Sequence, residues 1–116
     1  MFDPDDAIRT HLDWTEAFRA AIVLGRAVQA EEVARVDRCD LGRWLEDQGK
    51  RAYAGHPAFE DLVAAHDAFR AEAARVAELI NAGRHDEAEK RLWAGTRYAR
   101  ASQSVCAAIR TLARTA

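Results

Sequence analysis

Apolar residues recur along this chain at helical spacing, in four stretches separated by breaks. In the first, Ile8, His11, Thr15, Phe18 and Ile22 fall on one face. Asp3 can cap its start, Pro4 suits the first helical position, and Asp5 and Asp6 favour the positive end of the helix dipole. The pattern predicts a helix from about Pro4 to the Gly25–Ala30 region. A short connection follows, with Asp37 as the cap of a second helix. That helix begins near Arg38, carries Leu41, Leu45 and Ala52, and ends near Tyr53. Gly55-His56-Pro57 breaks the pattern, and Pro57 again suits a first turn. The third helix carries Phe59, Leu62, His66, Phe69, Ala73, Val76 and Ile80 on one stripe. Asn81-Ala82-Gly83 stops it, with Gly83 able to take left-handed geometry. A fourth helix starts near Asp86 and carries Leu92, Gly95, Ala99, Ser102, Cys106 and Ile109. Four helices with short joints predict an all-α fold, an antiparallel four-helix bundle.

Composition agrees with that reading. Alanine fills 26 of 116 positions, whereas Gly (6) and Pro (2) are scarce. A sheet protein needs more turn residues and β-branched strands than this chain offers. The length suits one domain, spanning residues 1–116, with no repeat and no dividing linker. Lys and Arg (17) nearly balance Asp and Glu (19), which argues against a nucleic-acid surface. The start, MFDPDDAIRT, is acidic and no apolar segment of an export signal follows. The longest apolar stretch, Ala20 to Gly25, is far short of the roughly 20 residues that span a membrane. Two cysteines, Cys39 and Cys106, make no disulfide framework. The expectation is a cytoplasmic protein in which Cys serves as a ligand or a redox centre.

The informative residues are polar ones inside apolar stripes. His11 lies at the centre of the Ile8–Phe18–Ile22 face, and His66 at the centre of the Leu62–Phe69–Ala73 face. Cys39 falls in the first turn of the second helix. A buried imidazole must be hydrogen-bonded or metal-bound. Two inward imidazoles and one thiol from three helices suit Zn²⁺, which favours tetrahedral nitrogen and sulfur coordination. A single inward His is also commonly a satisfied core residue, and no paired-cysteine motif supports the metal. Near a helix N-terminus the unpaired amides favour thiolate, so Cys39 is a candidate redox trigger. The plainer alternative is a small buried thiol at a helix start. Trp14 and Trp44 read as packing residues between the first two helices. His56 and His85 read as exposed or capping residues, and Cys106 as core.

The segments His11-Leu12-Asp13-Trp14 and Cys39-Asp40-Leu41-Gly42-Arg43-Trp44-Leu45 resemble the chemoreceptor zinc-binding domain. Gly55-His56-Pro57-Ala58-Phe59 and His66 resemble it at matching distances. The resemblance implies a four-helix bundle of the kind attached to bacterial cytoplasmic chemoreceptors and diguanylate cyclases. Such domains hold zinc through three His and one Cys and regulate the attached output. Some are linked to sensing oxidants such as hypochlorous acid. His11, Cys39 and His66 match family ligands. The resemblance also implies a second His one turn after His66, where this chain has Arg70. A guanidinium cannot coordinate zinc. Its charge opposes a metal unless the head reaches solvent or a carboxylate. Three outcomes stay open: water as fourth ligand, a substitute such as Cys106 or His56, or a lost metal.

Catalysis has little support. There is no Gly-rich phosphate loop, no nucleophile elbow and no His-Glu-x-x-His. The expectation is a non-enzymatic zinc-binding sensory module that responds to metal or oxidant. The alternative is a metal-free interaction bundle, which Arg70 favours. The chain carries no signalling output domain. It acts through a signalling partner, through its own oligomer, expected to be a homodimer, or as part of a longer protein.

Overall fold

The structure is a computed structural model describing residues 3–28 and 40–115. Among these residues it is all-helical, with six helices. They are α1 (Pro4–Leu24), α2 (Asp40–Glu46), α3 (Gln48–Tyr53), α4 (Pro57–Asn81), α5 (His85–Arg91) and α6 (Arg97–Thr115).

The two long helices α1 and α4 begin and end where their sequence signals place them. Asp3 caps α1, its Oδ1 accepting the Asp6 N–H at 3.2 Å. At the other end Gly25 is left-handed, with φ 66°, and the Arg26 N–H returns to the Ala21 carbonyl at 2.9 Å. His56 caps α4, its Nδ1 accepting the Ala58 N–H, and Pro57 follows as the first helical residue. Gly83, with φ 77°, closes α4 in the same manner. Asn81 does more than stop α4. Its amide accepts the Val28 N–H and donates to the Val28 carbonyl, both at 2.7 Å, which fastens the chain leaving α1 to the end of α4.

The predicted second helix is interrupted at Asp47, whose φ of −116° and ψ of −92° leave the helical region. Two glycines, Gly42 and Gly49, weaken this stretch as helix by about 1 kcal/mol each. The break turns Gly49 inward and leaves Ala52, predicted to face the core, exposed. Gly49 fits because it lacks a side chain: a Cβ there would stand 2.7 Å from Cζ3 of Trp44 and 3.0 Å from Cε1 of Phe59. The predicted start of this helix, with its cap at Asp37, lies outside the described residues.

The predicted fourth helix is also divided. Gly95 takes φ 84° and is exposed, so it marks a break and not part of an inward stripe. Thr96 then restarts the helix, its Oγ1 accepting the Ala99 N–H at 3.2 Å and donating to the Arg91 and Trp93 carbonyls. A left-handed Gly followed by a capping Thr is a stop and a start in two residues.

The most extensive packing joins α4 and α6. Leu62, Phe69, Val76 and Ile80 of α4 meet Val105, Ile109 and Leu112 of α6 in one core, with Phe18 closing it from α1. Trp14 and Trp44 are half-buried against that core, as packing residues. No helix among the described residues is long and apolar enough to cross a membrane.

Candidate metal centre

His11 and His66 both point inward. They are 3% and 2% exposed, among apolar neighbours on α1 and α4. Each sits where a heptad-like stripe would place a Leu, so their burial follows from position and their chemistry from identity. The His11 ring meets Phe69 edge-on, with centroids 4.3 Å apart, and Phe69 lies three residues after His66 on the same helix. The two imidazoles are near enough that charge on His11 opposes charge on His66.

Both rings are held neutral. Burial pushes the pKa of His11 down from 6.5 to about 4, against a smaller raising effect of its contact with Ser102. Burial also dominates at His66, lowered to about 4, with Arg70 and then His11 adding to it and Asp67 opposing. A neutral imidazole is the form that binds a metal, because its lone pair is not occupied by a proton. The donor chemistry therefore fits zinc: two buried nitrogens, already desolvated and deprotonated near pH 7. Cys39, the third sequence-predicted ligand, lies outside the described residues. Among the described residues no group of three or more His, Cys, Asp or Glu comes together as a metal site.

The two substitutes named by the sequence stand apart from this pair among the described residues. His56 is occupied at the cap of α4. Cys106 is buried on α6, and burial raises its pKa, which favours the thiol over the thiolate a metal requires. Among the described residues, neither joins His11 and His66 in a group of three.

Arg70 takes the alternative that side-chain length allows. It is one turn after His66, its side chain 17% exposed, and its guanidinium pairs with Asp67 on the outer side of α4. The carboxylate damps the charge without cancelling it, since Arg70 still disfavours protonation of His66. On the side of α2 and α3, a groove of about 550 Å³ reaches His66 between Glu46, Lys50, Phe59, Glu60 and Asp67.

Two polar contacts between α1 and α6 complete the surroundings. His11 Nε2 lies 2.9 Å from Ser102 Oγ, and Thr15 Oγ1 lies 2.6 Å from the Tyr98 hydroxyl. Residue numbers rise on α1 as they fall on α6, so these helices run antiparallel. The contact of Ser102 with His11 is absent from the sequence reading, which placed Ser102 inward without a partner. The available signal was a hydroxyl in an apolar stripe, which like a buried His needs a partner.

Comparison with protein families matches residues 11–77 to the chemoreceptor zinc-binding domain. No curated protein and no solved structure matches the chain. The matched segment contains His11, Cys39, His66 and Arg70 and stops before α6. With more than half of its 116 residues covered, the chain belongs to the chemoreceptor zinc-binding domain family.

Proposed function

We propose that this chain is a zinc-binding regulatory module, acting in the cytoplasm on a signalling partner or an attached output. The observation that carries the reading is the pair of buried, neutral imidazoles, His11 and His66, in a chain of this family. In this reading His11, Cys39 and His66 hold Zn²⁺ and water completes the tetrahedron, since Arg70 cannot. Zinc would tie α1 and α4 to the chain entering α2. The pair α2 and α3, and the pair α5 and α6, then serve as the second and fourth rods of a four-helix bundle. The working unit is a homodimer without catalytic activity of its own. Oxidation of the Cys39 thiolate to sulfenic acid would weaken its bond to the metal, which makes the site responsive to oxidants as well as to zinc.

Zinc reconstitution followed by elemental analysis is the deciding experiment. One Zn²⁺ per chain is expected, and Cys39→Ala should reduce it sharply. Bound metal should also stabilise the fold by about 2.7 kcal/mol at a hundredfold excess over Kd. A reconstituted protein without metal would favour the second reading, a bundle that kept the family fold as a metal-free interaction module. Arg70 beside His66 is the observation behind that second reading.

Arg70→His should bind zinc more tightly than the natural chain, by at least about tenfold, or ~1.4 kcal/mol. Positions 66 and 70 share one face of α4, so the new imidazole would sit one turn from His66. Arg70→Ala removes the charge without supplying a ligand. Chelator competition that gives the two variants equal gains would assign the whole effect to charge. No gain in either would mean that position 70 does not bear on the metal.

A further inference from the structure

Helix α1 has an outer face as well as an inner one. Of its 21 residues, His11, Phe18 and Ala21 are the buried ones. Four large hydrophobic residues are exposed among the described residues, and three of them, Leu12, Val23 and Leu24, lie on α1. Scattered apolar residues on a surface need no explanation, but these belong to a pattern. Leu12, Glu16, Arg19 and Val23 are all exposed and follow one another at intervals of four, three and four residues. That is the spacing of a seam along which two helices pair. Leu12 and Val23, 44% and 82% exposed, form its ends. Glu16 and Arg19 form its middle, an ion pair at 3.5 Å. Beyond the ends, Arg9 is paired with Asp6, and the left-handed Gly25 terminates the helix.

We propose that this outer face of α1 pairs with the same face of a second copy of the chain, antiparallel about a two-fold axis midway between Glu16 and Arg19. The inference rests on the homodimer reading above and names its surface. A two-fold interface must be complementary to itself. In this register Leu12 meets Val23 of the partner subunit at each end, and Glu16 meets Arg19 of the partner subunit twice in the middle. Together with the ion pair inside each chain, the four charges then alternate in sign around the axis. A parallel pairing fails the same test, because it sets Glu16 against Glu16 and Arg19 against Arg19. Ala20, exposed beside the seam, adds apolar surface without bulk that would hold the helices apart. The inner face, with His11 and Phe18, is left undisturbed. A seam of about 16 Å, at 1.5 Å per residue, is short. It falls among interfaces below about 1,200 Å², so the dimer is a weak one.

Sedimentation velocity of the natural chain from about 1 μM to 1 mM, a range suited to a small interface, should show a monomer–dimer equilibrium. Glu16→Arg and Arg19→Glu each set like charges across the axis and should weaken the dimer by about tenfold or more. Both side chains are exposed, so circular dichroism should find the helices intact. The chain carrying both substitutions restores opposite charges across the axis and should regain the natural affinity. An equimolar mixture of the two single variants should form mixed dimers tighter than either variant alone. Val23→Ser tests the apolar ends independently and should weaken the dimer by about tenfold. A natural chain that stays monomeric throughout overturns both this surface and the homodimer reading. A dimer that neither single reversal weakens overturns the α1 seam and leaves a homodimer built on another face. Failure of the double variant or of the mixture to recover also overturns the antiparallel register.

Discussion

Phe69→Ala is expected to destabilise the fold by about 3–5 kcal/mol in urea unfolding, the range for emptying a fully buried aromatic site. Phe69 is 2% exposed and sits where α1, α4 and α6 meet. One edge contacts the His11 ring, and Tyr98 lies on another side with centroids 5.2 Å apart. Tyr98 cannot collapse into the space, because its hydroxyl is fixed to Thr15 at 2.6 Å. His11 is held in turn by Ser102. A cavity whose walls are tied by hydrogen bonds relaxes little, which places the cost toward the upper end of the range. Against a total stability of roughly 5–15 kcal/mol for a small domain, that loss is large. Phe69→Leu refills most of the volume and should cost much less. A loss below about 1 kcal/mol in Phe69→Ala would show that the walls close freely and that Phe69 is not the pillar between the two imidazole-bearing helices.

The same packing explains what the sequence made legible and what it did not. The bounds of α1 and α4 could be read because each carries complete local signals: Asp3-Pro4 and Gly25 for one, His56-Pro57 and Gly83 for the other. Inward His11 and His66 could be read because both helices are long enough for the 3.6-residue period to establish itself. The period failed where segments are short. A seven-residue α2 followed by a six-residue α3 supplies under two turns each, and after the break Trp44 packs against the bare backbone of Gly49 while Ala52 stays exposed. At Gly95-Thr96 the stripe ran on through a Gly that is small enough to look like an inward position. Its left-handed φ is a backbone property that periodicity does not register. Long-range partners were beyond reach for a different reason. Nothing local to Ser102 states that His11 will arrive from the other end of the chain, whereas the Asp67–Arg70 pair, three residues apart on one helix, was within reach of the sequence. The family resemblance could name ligands only inside residues 11–77.

The metal-free protein is expected to lose stability as the pH falls from about 6.5 to about 4. His11 and His66 each have a folded pKa of about 4 against an ordinary value of 6.5. Both are lowered, so between those values the unfolded chain binds protons that the folded chain refuses. Stability therefore rises with pH through this window, is fully present above about 6.5, and is lost on the way down. A shift of this size corresponds to on the order of 3 kcal/mol for each ring. The two contributions are coupled, since a proton on His11 disfavours one on His66, so their sum belongs to the pair. Urea unfolding at several pH values between 7.5 and 4.5 measures the slope. His11→Gln with His66→Gln should flatten it between about 6.5 and 5, whatever the double variant does to stability at neutral pH. Saturating zinc should move the loss to lower pH, because a proton must then displace the metal. A natural chain whose stability is level from pH 6.5 to 5 would mean that the two imidazoles accept protons without opening the core. They would then not be the buried, desolvated ligands that the site requires.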